Sequence, residues 1–144
     1  MILPRSSTHL DIDRHPIGDE SYTAECRERL DHDGALVLEG FARAATIDQI
    51  VVQSAPRESD AYYTGKTHNV YLTPSDPSLD GDHPFNRQVE SSKGLIADDE
   101  IPHDSPLRDI YNDAAFRSFL CGVLGIDDVY PYADDMSSIN VHFA

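Results

Sequence analysis

Histidines and aspartates are the residues of this sequence best suited to metal or acid–base chemistry. There are seven histidines in 144 residues. His9 and Asp11 form a His-x-Asp pair, a spacing that can supply two of the three ligands of a non-haem iron site. The pair lies in a polar segment with no flanking strand to hold it, so we expect no metal there. His83 and His103 each neighbour an aspartate, which leaves a zinc or iron site open as an alternative to solvated side chains.

The C-terminal segment presents a second candidate group of polar side chains. Residues 137–143 read as a strand, and side chains on a strand alternate between its two faces. One face then carries Ser138, Asn140 and His142. Two interpretations stay open: the polar face is half-exposed to solvent, or it lines a cavity. In a cavity, the amide and the imidazole could bind an organic acid.

Composition limits the classes of function. The length suits one domain at most, and the formal net charge is −15. Such a surface repels phosphate backbones and anionic lipids, so we expect neither nucleic-acid nor membrane binding. Cys26 and Cys121 are expected to be buried thiols in a reducing compartment. The first residues carry no long apolar run, and no stretch is long enough to span a bilayer, which predicts a cytoplasmic protein.

Local patterns predict the first elements. Residues 1–18 are expected to be a flexible N-terminal arm. A helix then begins near Asp19, because apolar residues recur every four positions on one face, and Gly34 is a suitable end for it. The apolar run at residues 35–38 predicts a short buried strand.

The rest of the chain alternates helices, strands and one long connection. Residues 44–54 predict a helix closed by Pro56, and residues 68–72 a strand. The proline-rich segment 73–104 is expected to be a long loop lying over a site. Helices are then predicted from Ser105-Pro106 and from Asn112 or Asp113, the second ending at Gly125. The layout is α+β, with residues 19–144 forming a single domain whose sheet is incomplete.

Two stretches resemble a known enzyme superfamily. They are DHDGALVLEGF, at residues 31–41, and LRDIYNDAAFRSFLCGVLGIDDVYPYADDMSSINVHFA, at residues 107–144. Both resemble the iron(II)/2-oxoglutarate-dependent oxygenases, in particular a bacterial branch of small-molecule and amino-acid hydroxylases and halogenases. The resemblance implies a double-stranded β-helix, or jelly roll. This chain would supply its N-terminal portion, with packing helices and an incomplete sheet.

The resemblance also implies where chemistry would lie. In that superfamily a His-x-Asp, a distal His and an Arg follow the strand that resembles residues 139–142. We therefore expect this chain to lack the metal triad and catalytic residues, to bind neither Fe(II) nor 2-oxoglutarate alone, and to be inactive by itself. Asn140 and His142 would contact the co-substrate. His68, Asn69 and Tyr71 would lie near a small-molecule substrate.

The expected partners are those that could complete the sheet. A complementing C-terminal half, or a second copy of the chain, could complete the sheet. One alternative is a small binding protein that pairs with a partner through its C-terminal edge strand. Another is an independent metalloprotein that uses the histidines and aspartates of residues 68–104.

Overall fold

Helices and a small antiparallel sheet make up the described part of the chain, which is α+β as expected. The computed structural model describes residues 8–134, 136 and 138–143. The helices are α1 (Glu20–Asp33), α2 (Ala44–Ser54), α3 (Pro106–Tyr111) and α4 (Ala114–Leu124). The strands are β1 (Tyr62–His68), β2 (Val89–Ile96) and β3 (Val141–Phe143). Short 3-10 helices cover Ala55–Asp60 and Asp98–Glu100.

The ends of α1 are set by local chemistry, and the prediction of this helix is confirmed. The Asp19 carboxylate accepts hydrogen bonds from the backbone N–H groups of Ser21 and Tyr22, at 2.8 and 3.0 Å. The hydroxyl of Ser21, followed by these two N–H groups, lowers the pKa of Asp19 below its usual 3.8. Gly34 ends the helix with a φ of 71°, a conformation that costs glycine little.

The predicted starts of α3 and α4 are confirmed in the same way. Ser105 caps α3 through a hydrogen bond from the backbone N–H of Leu107. Asp113 caps α4 by accepting from the backbone N–H of Phe116 at 2.9 Å. Serine and aspartate at these positions satisfy backbone donors that have no partner inside a helix.

A helical core forms where α1 packs against α4, and the segment before α1 contributes to it. The buried residues of this core are Leu10, Ile17, Cys26, Phe119 and Val123. Leu10 is only 1% exposed, and its backbone bridges Ala42. Residues 8–18 therefore differ from the loosely held arm that the sequence predicted, because their apolar side chains pack into the core. The remainder of that arm, residues 1–7, lies outside the described residues.

His15 ties this segment to α1 through two hydrogen bonds. Its Nε2 lies 2.8 Å from the carbonyl oxygen of Glu39, which can only accept, so Nε2 carries a proton. In the neutral imidazole Nδ1 then accepts from the Tyr22 hydroxyl, 2.7 Å away. Burial, with a smaller contribution from the Cys26 thiol, raises the pKa of Tyr22 to about 12.

The sheet has the order β1-β2-β3 and all its pairs are antiparallel. The β1–β2 pairing runs from Tyr62 opposite Leu95 to His68 opposite Val89. On the other side of β2, Val141 lies opposite Ile96 and Phe143 opposite Gly94. A second core lies against this end of the sheet, with Ile96, Ile101 and Ile139 buried.

The predicted strands are less accurate than the predicted helices. Residues 35–38 form no strand: Leu36 and Leu38 pack against the helical core, while Val37 is exposed. The strand predicted at residues 68–72 lies too late in the chain: the observed strand β1 covers Tyr62–His68, and the chain turns after His68. The loop predicted over residues 73–104 contains β2. The last strand is limited to Val141–Phe143; Ser137, its predicted first residue, is not among the described residues.

Candidate functional site

His142 and Asn140 lie at the β3 edge of the sheet. His142 is directly opposite Leu95 on β2, which is in turn opposite Tyr62 on β1. Directly opposed residues share a face, so these three side chains form one row across the sheet. Both Asn140 and His142 are exposed, while Val141 and Phe143 pack against the second core. Of the two interpretations of this strand, the half-exposed polar face matches the structure.

Asn140 differs from His142 in its local bonding. With its amide oriented according to its surroundings, the side-chain nitrogen donates to the carbonyl oxygens of Met136 and Ile139, both at 3.3 Å. Its donor group therefore holds the chain just before β3.

His68 lies at the far end of the same face as His142. The register puts residues 62, 64, 66 and 68 on one side of β1, and Tyr62 is in the row of His142. His68 is six positions along β1 from Tyr62, which corresponds to a distance of about 20 Å. The structure therefore places His142 and His68 on one face, but too far apart to contact one small molecule.

Asn69 is fully buried and organises the chain after β1. Its side-chain oxygen accepts hydrogen bonds from the backbone N–H groups of Tyr71 and Thr73, both at 3.1 Å. Its nitrogen donates to the Thr73 hydroxyl at 3.4 Å. Because all these bonds are internal and the side chain is 0% exposed, Asn69 shapes the loop and does not reach a ligand.

The loop of residues 69–88 is ordered by a second buried asparagine and a ring stack. Asn86 accepts from the backbone N–H of Asp76 and donates to the carbonyls of Asp76, Leu79 and Asp80. Tyr71 stacks on Phe85 with ring centroids 5.1 Å apart. Beside Tyr71, Leu72 has a φ of 55° and is 75% exposed. A non-glycine residue in this region is uncommon and is often found near binding sites.

A cavity of about 390 Å³ opens between this loop and the end of β1. Its lining includes Lys66, His68, Thr73 and Gln88. Lys66 and His68 share one face of β1. His68 Nδ1 lies 2.9 Å from the carbonyl oxygen of Asn69, which can only accept, so Nδ1 carries a proton. Lys66 can donate to an acidic group there, and His68 Nε2 can do so only when the ring is protonated. Of the predicted substrate residues, His68 lines this cavity, while Tyr71 stands beside it on the loop.

His9 and His83 contact neighbours within the fold, whereas His103 is exposed. His9 Nε2 lies 3.0 Å from an Asp109 carboxylate oxygen, whereas Asp11 accepts from the backbone N–H of Arg14 and faces Arg43. His83 Nδ1 accepts from the backbone N–H of Phe85. Among the described residues, no group of three or more His, Cys, Asp or Glu side chains is arranged to hold a metal ion.

A second cavity, of about 260 Å³, lies on the other side of the molecule against α4. Tyr111 and Phe116 form part of its wall, Arg117 lines it, and the segment 129–132 closes one side. Sequence reasoning missed this cavity. The signal that could have found it is the aromatic-proline-aromatic run at residues 130–132, together with a lone arginine beside the apolar stripe of α4.

Comparison with protein-family models, with curated proteins and with solved structures finds no match for this chain. Within the part of the chain that the structure describes, each helix is too short or too polar to cross a lipid bilayer.

Proposed function

We propose that this chain is the N-terminal, substrate-side part of an iron(II)/2-oxoglutarate-dependent oxygenase that acts on a small molecule. The observation that carries the proposal is exposed surface. Three large apolar side chains of the sheet are exposed, Tyr62 by 71% and Tyr63 by 51% on β1, and Val89 by 44% on β2. Much of its sheet is therefore available to be covered by further polypeptide, as the resemblance to a jelly roll requires.

The edges of the sheet support the same proposal. β3 pairs with β2 on one side, and no strand among the described residues pairs with its other side. An edge strand offers a row of backbone donors and acceptors to an incoming strand. The other edge, β1, carries Lys66, and charged edge residues disfavour pairing. β3 has no lysine or acidic residue, so it is the better edge for a continuing sheet.

The described residues do not fit a complete iron site, so no catalytic step is assigned to them. In the completed enzyme the metal and 2-oxoglutarate would supply the oxidising chemistry. The residues of this chain would bind and orient. His142 and Asn140 would face the co-substrate from β3. His68 and Lys66 would face an acidic group of the substrate from the cavity beside residues 69–88.

The test begins with the gene. We expect the nucleotide sequence downstream of the Ala144 codon to encode, in some frame, a glycine-containing turn, a His-x-Asp, a distal His and an Arg. Absence of any such sequence in all frames would overturn the proposal. Where it is present, the two parts produced together should release succinate from 2-oxoglutarate in the presence of Fe(II).

A variant connects that activity to this chain. His142→Ala should raise the KM for 2-oxoglutarate more than it lowers kcat, because a binding contact is lost. His32→Ala, at an exposed position in the last turn of α1, is the matched control and should leave both constants unchanged. Equal effects of the two variants would contradict a role for β3 in co-substrate binding.

The open β3 edge also favours a second candidate function, a binding protein that adds a partner strand. This candidate predicts concentration-dependent self-association or a stable complex in size-exclusion chromatography with light scattering. It also predicts slowed amide exchange at residues 141–143 only in the associated state. A monomer at all concentrations, with slow exchange at these residues, would contradict it.

A further inference from the structure

The cavity against α4 combines aromatic walls with Arg117, which forms no ion pair with any of the described residues. Phe116, Arg117 and Leu120 come from successive turns of α4, and Tyr130 and Tyr132 from the segment facing it. The wall is held in place, because the backbone N–H of Tyr132 donates to the Tyr111 hydroxyl at 3.1 Å. Behind it, Phe116 packs on Phe41 with ring centroids 5.2 Å apart.

Arg117 gives this cavity one positive charge, and Arg29, Arg57 and Arg87 share with it the lack of an ion pair among the described residues. Four arginines lie within ion-pair distance of a carboxylate, namely Arg14, Arg27, Arg43 and Arg108. Arg117 is half-buried and has no such partner among the described residues. In a chain with 26 acidic and 11 basic residues, carboxylates are plentiful. A half-buried guanidinium beside an open cavity therefore leaves its charge-assisted donors free for a ligand.

Tyrosine rings extend the cavity into solvent. Tyr130 is 81% exposed and Tyr132 is 69% exposed. Aromatic rings that are exposed together beside a concave surface are typical of binding sites, because they offer a large apolar area at low cost in conformational entropy. The cavity volume of about 260 Å³ is just below the usual lower limit for ligand pockets, about 300 Å³. The ligand must therefore be small.

We propose that this cavity binds a small carboxylate with an aromatic body. The carboxylate pairs with the guanidinium of Arg117, and the ring lies between Phe116, Leu120 and the tyrosines of the facing segment. Bidentate pairing fixes the acidic end, and apolar contact fixes the other end. Ser138, two residues before Asn140, also lines this cavity, but Asn140, His142 and His68 do not. The proposal therefore does not depend on the oxygenase proposal.

The test uses the full chain and two matched probes, 3-phenylpropanoate and its uncharged amide. Titrations to millimolar concentration are followed by amide chemical shifts in two-dimensional NMR. We expect the carboxylate to shift residues of α4 and of 129–132, and the amide to bind about tenfold more weakly. Equal binding of the two probes, no binding of the carboxylate, or shifts elsewhere in the chain would overturn the proposal.

Charge variants provide a second measurement. Arg117→Gln should abolish the preference for the carboxylate over the amide, while Arg87→Gln, the same change at an exposed loop position, should leave it intact. Loss of the preference in both variants would show a general effect of net charge and would contradict the site. If Arg117→Gln fails to fold, the comparison of 3-phenylpropanoate with its amide on the unaltered chain still tests the proposal, because it needs no substitution.

Discussion

The ring of Tyr63 on β1 lies over the α-carbon of Gly94 on β2. The two residues are directly opposite in the antiparallel register. A β-carbon built on Gly94 would come within 2.7 Å of Tyr63 Cζ. Gly94 is buried although it has no side chain, because the aromatic ring covers it. Covering of a strand glycine by a cross-strand aromatic ring is a known device for fixing register.

Gly94→Ala should therefore destabilise the chain. The new methyl group pushes the Tyr63 ring off the strand, which costs about 1–2 kcal/mol by overpacking and lost cover. Urea unfolding measures the change. Gly65→Ala, on β1 with no atom within 4 Å of its added β-carbon, is the matched control. It should be neutral or slightly stabilising. Equal costs at the two glycines would contradict the stacking.

Asn69→Ala should loosen the loop after β1. The substitution removes a buried amide and leaves the backbone N–H groups of Tyr71 and Thr73 without their acceptor, which costs about 1–2 kcal/mol. Hydrogen exchange should accelerate at these two amides. Asn112→Ala removes an amide that is exposed to water and should change stability by less than about 0.5 kcal/mol. Unchanged exchange at residues 71 and 73 would refute the role of Asn69.

Tyr22→Phe should destabilise the helical core by about 1–2 kcal/mol, since the buried Nδ1 of His15 loses its donor. The pKa of Tyr22 is raised from 10.0 to about 12 in the folded chain. The stability that the protonated Tyr22 hydroxyl contributes is complete below pH 10 and is lost as the pH rises towards 12. The difference in the free energy of unfolding between the unaltered chain and Tyr22→Phe should therefore shrink between pH 10 and pH 12, as urea unfolding at each pH would measure. Tyr62→Phe, at an exposed ring, is the matched control and should change the free energy of unfolding by less than about 0.5 kcal/mol.

Arg108→Ala should be strongly destabilising. The guanidinium lies 2.6 Å from the Asp98 carboxylate and also donates to the carbonyl oxygens of Asp98 and Ile101. Asp98 is only 7% exposed, so removing its partner leaves a buried charge and costs about 3 kcal/mol. Adding Asp98→Asn to the variant should recover part of the loss. Thermal unfolding is the measurement, and a loss no greater than that of Arg87→Ala would argue against a buried pair.

The helices could be predicted because their ends depend on neighbouring residues only. Asp19 and Gly34 define α1 through hydrogen bonds and backbone angles within a few positions. Serine or aspartate caps do the same for α3 and α4. The strands could not be predicted as well. β1 is exposed over almost its whole length, so its sequence lacks the apolar alternation of a half-buried strand.

In the candidate sites, too, the residue types could be predicted from the sequence, whereas the distances between them could not. His68 and His142 were identified from their residue types, but their separation of about 20 Å depends on the register between β1, β2 and β3, which is non-local. Asn69 was expected near substrate, and the structure instead buries it within a loop. Arg117 was not singled out, because an arginine on an amphipathic helix is ordinary until the absence of a carboxylate partner is seen.

The pairing of His68 with Val89 has a consequence for how the chain can vary. Because these residues are directly opposite, the two ends of residues 69–88 lie about 5 Å apart. The segment has its own internal bonding through Asn69 and Asn86. It is therefore a closed insert, which could be shortened to a two-residue turn or exchanged for another loop while β1 and β2 keep their register. The shape of the cavity beside His68 would change with this segment, while the strands β1 and β2 stayed as they are.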